Sequence, residues 1–399
     1  MNNFNESFFL KKILKRDSFF QIDIDENLNE IKKKIIDKSL LVIGGAGTIG
    51  SNYIKEILKF KPSKIIVVDT NENGLTELTR DLRSSGSLDY QIDFRTYPIN
   101  LNDSVFDKLF LSENNFDTVA NFAAHKHVRS EKDIYSIEAL IKNNVYGAIK
   151  LLKLLELKPP IQFFSVSTDK AANPVNIMGA SKTIMENVIL TFQNKFKVIT
   201  ARFANVAFSN GSLLYGFNFR ISKKQPLACP SNIRRFFVTP QESGQICMLA
   251  TFLGDSGNIF FPKFDFHKDQ IYFKDIAINF IKHIGFKVDI CNSEEDAKNR
   301  MIKSDSISYP IYFFESDTSG EKEYEEFYTD DEDINLNHFK SLGFIIKNNV
   351  SLNLDELIKD FDNIFSSKYL NKKDIIKAMQ KYLLKFDHIE KGKNLDQKM

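Results

Sequence analysis

A predicted buried strand that runs into a glycine turn and then into a helix is the feature that most constrains this chain. Residues 40–43 read Leu-Leu-Val-Ile, residues 44–50 read Gly-Gly-Ala-Gly-Thr-Ile-Gly, and a helical stretch follows from Asn52 to Phe60. Glycines at such a turn let the backbone approach a pyrophosphate, which then lies against the free N–H groups of the helix N-terminus. We therefore predict a dinucleotide site, and the alternative is a glycine turn with only a structural role. The site residues predicted from this turn are Gly44, Gly47, Thr48, Ile49 and Gly50.

An acidic residue closes the next predicted strand, which spans Lys64 to Val68. The carboxylate of Asp69 at this position can accept hydrogen bonds from both hydroxyls of an adenosine ribose. No Arg or Lys follows Asp69 before Arg80. The pattern therefore favours NAD over NADP as the cofactor.

Predicted strands and helices alternate from Ser39 to about Ala201. This alternation favours a parallel sheet with helices on both faces, a Rossmann-like doubly wound α/β fold. The pattern becomes irregular after Phe203, which is typical of a substrate lobe built on such a core. We expect four parts: an N-terminal extension (1–38), an NAD-binding core (39–205), a smaller substrate-binding lobe that returns to the core (206–330), and a C-terminal helical extension (331–399).

A second pattern places an acid beside an amine at the end of a predicted buried strand, Ile161 to Val166. Asp169 and Lys170 follow that strand, and a helix starting near Ile177 carries Met178 and Lys182 on one face, because they lie four residues apart. Open α/β sheets bind ligands at the carboxyl ends of their strands, and an acid with two amines can move protons there. The alternative is that Thr168 and Asp169 cap a helix and that both lysines are solvated.

The composition bears on partners and compartment. The formal net charge is +2, with both signs interspersed, so we expect no nucleic-acid partner. Cys229, Cys247 and Cys291 are widely spaced, which indicates free thiols in a reducing compartment, and the histidines do not suggest a metal site. The sequence predicts no signal peptide, and it contains no run of about 20 apolar residues. We therefore expect a cytoplasmic protein without a membrane span.

With these motifs in view, the chain resembles the extended short-chain dehydrogenase/reductase superfamily and, within it, the polysaccharide-biosynthesis dehydratases that act on UDP-N-acetylglucosamine. The resemblance covers roughly Ser39 to Phe327. Two departures from the family pattern matter: Asn100 stands where many members have an Asp directed toward the adenine, and Met178 occupies the position of the usual catalytic Tyr. The further segments that carry the resemblance are Val119–Arg129, Asn144–Gly147, Ala201–Val206, Arg234–Phe237 and Gly320–Phe327.

The resemblance implies an NAD-dependent 4,6-dehydration: oxidation at C4 of the sugar, loss of the C5 proton and of the C6 hydroxyl, and return of hydride to C6. In this reading Lys170 is the C5 base, Asp169 the C6 acid, and Lys182 holds the nicotinamide ribose. Lys170 can act as a base only if its pKa is depressed, and we expect burial and the neighbouring Lys182 cation to lower it. Ser167 and Thr168 would orient the 4-hydroxyl.

Met178 is expected to form an apolar wall that takes no proton, and its occurrence in members that retain the C5 configuration favours the retaining product. The alternatives are a C5-inverting dehydratase, a nucleotide-sugar 4-epimerase, and a non-catalytic NAD-binding protein. The expected partner is a UDP-sugar, in a homo-oligomer. The resemblance also implies cofactor contacts from Asn73, Asn100, Leu101, Ala123, Lys126 and Asn144, and substrate contacts from Lys126, His127, Ser167, Asn205, Ser212, Arg235 and Glu321.

Overall fold

Strands and helices alternate along most of the chain in the computed structural model, which describes residues 6–303, 307–317, 319–347 and 350–390 except for the side chains of Arg129 and Ser130. The strands are β1 (Ser39–Ile43), β2 (Lys64–Val68), β3 (Asp93–Tyr97), β4 (Thr118–Asn121), β5 (Gln162–Val166), β6 (Lys197–Ala201), β7 (Asn205–Val206), β8 (Leu227–Pro230), β9 (Arg234–Val238), β10 (Asn258–Pro262), β11 (Gln270–Tyr272), β12 (Lys287–Cys291), β13 (Ser308–Phe314), β14 (Ile334–Asn335) and β15 (Leu342–Ile346).

The helices connect these strands and extend both ends of the chain. They are α1 (Glu6–Leu14), α2 (Gln21–Glu26), α3 (Leu28–Ile35), α4 (Thr48–Leu58), α5 (Glu72–Ser84), α6 (Ser104–Ser112), α7 (Ile134–Ile141), α8 (Gly147–Leu155), α9 (Ile177–Leu190), α10 (Leu213–Ser222), α11 (Pro240–Leu253), α12 (Phe273–His283), α13 (Glu294–Lys303), α14 (Leu354–Phe365) and α15 (Lys372–Tyr382).

The central sheet confirms the doubly wound α/β fold. Within the described ranges its strand order is β14-β15-β10-β6-β5-β4-β1-β2-β3. The strands from β10 to β3 in that order pair in parallel, and β15 and β14 add an antiparallel edge. The chain order reverses between β1 and β4, and such a switch point is where open α/β sheets bind ligands, at the carboxyl ends of the strands.

Continuous apolar runs account for the central strands. All five residues of β5 are buried, as are the last four of β1 and of β2, which is expected where helices cover both faces of a parallel sheet. On one face α4 packs against α11, and the turn before α4 lies at the switch point. The core therefore fixes the glycine turn relative to the ends of β4 and β5.

A smaller lobe carries two three-stranded sheets, ordered β11-β9-β7 and β12-β13-β8 among the described residues. It has its own apolar cluster, in which Phe9 of α1 packs edge-on against Phe280 of α12 with ring centroids 5.8 Å apart. The following helices of the N-terminal extension pack on the main core instead, where Phe20, Ile31 and Ile35 are fully buried. The domain boundaries drawn from the sequence stay predictions.

The C-terminal region differs from the helical extension expected over residues 331–399. Its part from 334 to 346 forms β14 and β15, and β15 pairs antiparallel with β10, with Phe344 opposite Phe260. A short apolar run such as 342–346 does not reveal its partner strand, because the pairing is long-range. The helices α14 and α15 follow as expected, and residues 391–399 lie outside the described ranges. None of the helices described is both long and apolar enough to span a bilayer.

A buried carboxylate joins the N-terminal extension to the central sheet. Asp23 is fully buried, and its two oxygens accept hydrogen bonds from the backbone N–H groups of Lys340 and Ser341, each at 2.7 Å, just before β15. The hydroxyl of Ser341 also donates to this carboxylate. This contact fixes the register of residues 20–26 against the edge of the sheet.

We predict that Asp23→Ala lowers the free energy of unfolding by about 2–4 kcal/mol, because it leaves buried N–H groups without an acceptor. Urea unfolding followed by circular dichroism measures the loss. The matched control is Asp25→Ala on the same helix, where the carboxylate is exposed. Equal stability losses in both variants would contradict the anchoring role.

Candidate active site

The glycine turn brings the ends of β1 and β4 together and leaves room for a ligand. Gly44 has φ +76, and a Cβ atom there would lie 2.5 Å from the backbone nitrogen of Ala123. At Gly47, by contrast, the nearest described atom to an added Cβ would be the carbonyl oxygen of Gly44, at 3.4 Å. Gly47 is also the N-cap of α4 and has no side chain to bond the first-turn N–H groups. The turn therefore fits a pyrophosphate at the start of α4.

Asp69 lies at the end of β2 and faces this turn. Its Oδ2 accepts a hydrogen bond from the N–H of Ala46 at 2.9 Å, and its Oδ1 accepts one from Asn71 at 2.9 Å. The same carboxylate that we predict for ribose binding thus also shapes the glycine turn. Of the other residues predicted for the cofactor, Asn73 is exposed on the first turn of α5, Asn100 accepts a hydrogen bond from the N–H of Asn102, and Leu101 is buried.

Asn144 holds the segment that follows β4. It lies in a π-helical turn, Lys142–Tyr146, between α7 and α8, a distortion that often marks functional positions. Its side chain accepts a hydrogen bond from the N–H of His125 at 2.8 Å and donates to the carbonyl of His125 at 2.9 Å. It also donates to the hydroxyl of Ser181 on α9, at 3.0 Å. Asn144 therefore links the loop of residues 123–127 to the helix that carries Lys182.

Lys126 and His127 extend from that loop. The side chain of Lys126 keeps access to solvent although protein surrounds much of it, as in a concave surface, and the loss of bulk water lowers its pKa. His127 lies against Gly211, where a Cβ atom would come within 2.8 Å of the imidazole ring. This close approach brings the loop of residues 205–212 beside the loop after β4.

The same 205–212 loop reaches the glycine turn, because the N–H of Asn210 donates to the hydroxyl of Thr48 at 3.1 Å. Asn205 is half-buried in β7 at the start of this loop, and Ser212 at its end caps α10 by accepting a hydrogen bond from the N–H of Tyr215. The structure thus brings these two predicted substrate residues to the same side of the sheet as the turn.

Asp169 and Lys170 form a buried acid–amine pair directly after β5. Oδ1 of Asp169 accepts hydrogen bonds from the hydroxyl of Thr168 at 2.9 Å, from the backbone N–H of Lys170 at 2.9 Å, and from Nζ of Lys170 at 3.0 Å. The Asp169 side chain is 3% exposed and that of Lys170 is 17% exposed. The pair predicted from the sequence is therefore assembled at the carboxyl edge of the sheet.

A second carboxylate, which the sequence argument did not assign to the site, also lies near Lys170. Oε1 of Glu325 is 3.7 Å from Nζ of Lys170 and 3.7 Å from Nη2 of Arg235, and its side chain is 3% exposed. The guanidinium of Arg235 donates to the carbonyls of Arg234, Lys322 and Glu323. Glu321 lies at the edge of this cluster, 3.9 Å from Arg235.

These contacts correct the expected titration of Lys170. Burial by itself lowers the pKa of Lys170, but the carboxylates of Asp169 and Glu325 outweigh burial and hold the pKa above its ordinary value. We had expected the cation of Lys182 to lower the pKa of Lys170, but the cation that does so is Arg235. Burial in turn raises the pKa of Glu325, although Lys170 and Arg235 lower it. The two carboxylates thus favour the ammonium form of Lys170.

Lys182 has the depressed pKa that was expected for Lys170. Its ammonium group is buried, donates to the carbonyl of Val166 at 2.8 Å and lies 3.3 Å from Sδ of Met185. Burial lowers its pKa to about 8, and Glu186 opposes that shift. The ammonium of Lys182 therefore binds the last residue of β5, whereas the ammonium of Lys170 binds Asp169.

Beside Lys182, a buried ionic network fixes the end of β5. Glu186 accepts a hydrogen bond from the hydroxyl of Ser167 at 2.6 Å and a bidentate pair from Arg202. Burial alone would raise the pKa of Glu186, but Arg202 outweighs burial and the pKa lies below its ordinary value. Arg202 also donates to both oxygens of Glu332 and to the carbonyl of Phe327. The hydroxyl of Ser167, a predicted substrate ligand, therefore already donates its hydrogen bond to Glu186.

Met178 is buried at the start of α9, with 2% of its surface exposed, and its N–H donates to Glu131 at 3.3 Å. The other oxygen of Glu131 lies 3.2 Å from Nε2 of His388 in the C-terminal segment. Next to His388, Ile389 donates to the carbonyl of Val175 and accepts from the N–H of Gly320. Sequence reasoning missed this contact of the C-terminal segment with the start of α9, because residues 388 and 389 are far along the chain from residues 131–178.

Comparison with known proteins places these features in a family. The family model described as polysaccharide biosynthesis protein matches residues 40–347. The chain is 30% identical to the uncharacterized membrane protein MJ1061 of Methanocaldococcus jannaschii, over 86% of this chain and 96% of that protein. It is 29% identical to the capsular polysaccharide biosynthesis protein CapD of Staphylococcus aureus, over 70% of this chain, but spans only 46% of CapD. A UDP-N-acetylglucosamine 4,6-dehydratase (inverting) of Campylobacter jejuni is 26% identical, over 70% of this chain and 81% of that enzyme.

Solved structures share the fold at lower identity. Pen from Bacillus thuringiensis superposes with a TM-score of 0.64 at 21% identity and covers 82% of this chain and 98% of its own. A double mutant of DesIV, a dTDP-glucose 4,6-dehydratase from Streptomyces venezuelae with NAD bound, has a TM-score of 0.53 at 17% identity and covers 72% of this chain and 87% of its own. These likenesses confirm the Rossmann-like fold.

We predict that the contribution of Lys182 to stability increases with pH. Its pKa falls from 10.5 to about 8 on folding, so between these values the unfolded chain holds a proton that the folded chain has lost. The free energy of unfolding of the wild type, relative to Lys182→Met, should rise across this window by at most about 1.4 kcal/mol per pH unit. Urea unfolding at several pH values measures the difference, with Lys108→Met on the exposed face of α6 as control. A difference that is flat or falls with pH would rule out this burial effect.

Proposed function

The chain belongs to the polysaccharide biosynthesis protein family, and from this premise we propose that it is an NAD-dependent 4,6-dehydratase of UDP-N-acetylglucosamine. The observation that carries the proposal is the buried pair of Asp169 and Lys170 at the carboxyl end of β5, with Nζ 3.0 Å from Oδ1. An elimination needs one proton taken from carbon and one given to the departing hydroxyl, and an adjacent acid and amine can supply both transfers. The name of the Campylobacter jejuni relative supports the choice of substrate.

The glycine turn and Asp69 would hold the cofactor. When bound there, NAD would supply the redox chemistry, as acceptor of a hydride from C4 of the sugar and donor of that hydride to C6. The open space beside Gly47 and the first-turn N–H groups of α4 suit a pyrophosphate. Asp69 would accept hydrogen bonds from the ribose hydroxyls. A carboxylate has about four acceptor positions, and Asp69 uses two of them for the N–H groups of Ala46 and Asn71. The NAD-bound dehydratase among the structural neighbours supports this assignment.

Asp169 and Lys170 would divide the proton transfers between them. The three hydrogen bonds that Asp169 accepts all use Oδ1, so we assign the proton for the C6 hydroxyl to Oδ2. Lys170 would take the C5 proton on Nζ, which requires that it first give up the proton that its two carboxylate neighbours hold in place. Either Asp169 or a water molecule would accept the proton of the C4 hydroxyl, because a methionine thioether at position 178 cannot.

The configuration at C5 belongs to the same proposal. We favour the retaining product because Met178 stands in the place of the usual Tyr, whereas the Campylobacter jejuni relative is named as inverting. A nucleotide-sugar 4-epimerase is the alternative activity, since it shares the fold but needs no acid–amine pair for elimination. The cytoplasmic location and the homo-oligomeric state stay predictions.

Incubation with UDP-N-acetylglucosamine and NAD should yield a product lighter than the substrate by one water molecule. Lys170→Met should slow water loss by about 10²–10⁴-fold, because a positioned base is removed, while reduced cofactor can still form. Mass spectrometry of the nucleotide sugar and absorbance of the cofactor measure the two steps separately. A product of unchanged mass would favour the epimerase, and near wild-type dehydration by Lys170→Met would exclude Lys170 as the base.

The glycine turn gives a test of cofactor binding that does not depend on activity. Gly47→Ala should fold normally, because its φ of −72 suits alanine and the nearest described atom lies 3.4 Å from the new methyl group. The methyl group would occupy the space assigned to the pyrophosphate, and we predict at least a roughly tenfold loss of NAD affinity, or about 1.4 kcal/mol. Calorimetric titration with NAD measures it.

Gly50→Ala is the matched control, since its methyl group would meet the carbonyl oxygen of Gly44 at 2.5 Å and should destabilise the fold itself. Unchanged NAD affinity in a folded Gly47→Ala protein would contradict the assignment of the turn.

A further inference from the structure

The segment that follows Gly320 is fixed on both sides of Glu325. On one side, the amide of Asn176 donates to the carbonyl of Gly320 at 2.7 Å, and Nζ of Lys322 donates to the carbonyl of Asn173 at 2.7 Å. On the other side, the carbonyl of Phe327 accepts a hydrogen bond from Arg202 at 2.9 Å. Glu325 is thus held in place by contacts that do not involve its own carboxylate.

Held in this way, the carboxylate of Glu325 is placed between two cations. Its Oε1 lies 3.7 Å from both Nζ of Lys170 and Nη2 of Arg235. Opposite charges at such a distance in a buried site favour the charged form of each partner. The charged groups that act on Lys170 and Glu325, taken over all packed elements, are Asp169, Lys170, Arg235, Lys322 and Glu325.

We propose that Glu325 is a positioning residue that sets the pH at which Lys170 releases its proton. Asp169 alone gives Lys170 one carboxylate partner, and Glu325 supplies a second from a distant part of the chain. The inference rests on the proposed function, in which Lys170 must be a free amine to take the C5 proton. With Glu325 ionised, Lys170 stays an ammonium group, so loss of that charge makes the amine available at lower pH.

Arg235 connects this control to the substrate. Nη2 of Arg235 lies 3.7 Å from Oε1 of Glu325. The family resemblance implies that the stretch Arg234–Phe237 contacts the nucleotide diphosphate of the substrate. A bound diphosphate would share the charge of Arg235, which weakens the hold of Arg235 on the Glu325 carboxylate. Glu325 then favours a proton more strongly, and Lys170, with Nζ 3.7 Å from Oε1, is the neighbouring amine that can release one. In that transfer the proton moves from Lys170 to Glu325, which leaves a neutral amine and a neutral acid.

The direct test is competitive acetylation of the full-length protein with acetic anhydride, followed by peptide mass spectrometry at Lys170 across a pH series. The midpoint of labelling reports the proton release of Lys170 independently of how fast the reagent reaches it. Glu325→Gln should lower this midpoint by about one pH unit, which is about a tenfold faster labelling of Lys170 below the midpoint. Glu326→Gln, a neighbouring carboxylate that is only half-buried, is the matched control and should leave the midpoint unchanged.

Glu325→Asp keeps the charge and should keep the midpoint near that of the wild type. The proposal is overturned if Glu325→Gln leaves the midpoint unchanged, or if Glu326→Gln shifts it equally. If Glu325→Gln does not fold, the wild type alone decides, because a midpoint for Lys170 below that of the exposed Lys108 would contradict the proposal.

A second arm links the inference to turnover. In the wild type, kcat/KM for dehydration of UDP-N-acetylglucosamine should rise with pH, and in Glu325→Gln the same rise should occur about one pH unit lower. A wild type that does not dehydrate this substrate would remove the proposed function while the labelling test of Glu325 still stands. An active wild type with an identical pH profile in Glu325→Gln would remove the role of Glu325 alone.

Discussion

The pairing of Arg202 with two carboxylates is the interaction on which the rest of the site depends. Its guanidinium is 1% exposed and binds Glu186 of α9 on one side and Glu332 of the loop before β14 on the other. A buried cation is tolerated only when its hydrogen bonds are satisfied, and removal of one partner from such a pair typically costs about 3–5 kcal/mol. Because Glu186 also holds Ser167, this one group ties the end of β5, the helix of Lys182 and the segment beyond Glu325 into one rigid unit.

That rigidity explains how the pKa values of Lys170 and Lys182 are shifted in opposite directions. No carboxylate among the described residues bonds to the ammonium of Lys182, so burial lowers its pKa to about 8. Lys170 is also buried but lies between Asp169 and Glu325, and its pKa is raised. The charged neighbours of each lysine, and not burial alone, thus decide the direction in which its pKa moves. The fold achieves this by bringing residues 320–327 back across the carboxyl edge of the sheet.

Local patterns in the sequence predicted what depends on neighbouring residues. The glycine turn with Asp69, the strand before Asp169, and the helix from Ile177 are each set by adjacent residues and occur as expected. The wrong direction for Lys170 has a clear cause, since the prediction weighed burial and Lys182 but not the charge of the adjacent Asp169, and the second carboxylate, Glu325, comes from a remote segment. Glu186 lies four residues after Lys182, so the sequence places both on one face of the same helix. Its partner Arg202 follows β6, and no local pattern pairs the two.

The antiparallel strand β15 was missed for the same reason, because its five apolar residues are explained only by their pairing with β10.

The central claim is that this arrangement removes a proton from C5 and a hydroxyl from C6 of one sugar. Proton NMR of the nucleotide sugar formed from UDP-N-acetylglucosamine in deuterated water tests it most directly. The account predicts a 4-keto, 6-deoxy product with solvent deuterium at C5 and none from solvent at C6, since the hydrogen that reaches C6 comes from C4. A product that keeps its C6 hydroxyl and carries no deuterium at C5 would contradict it.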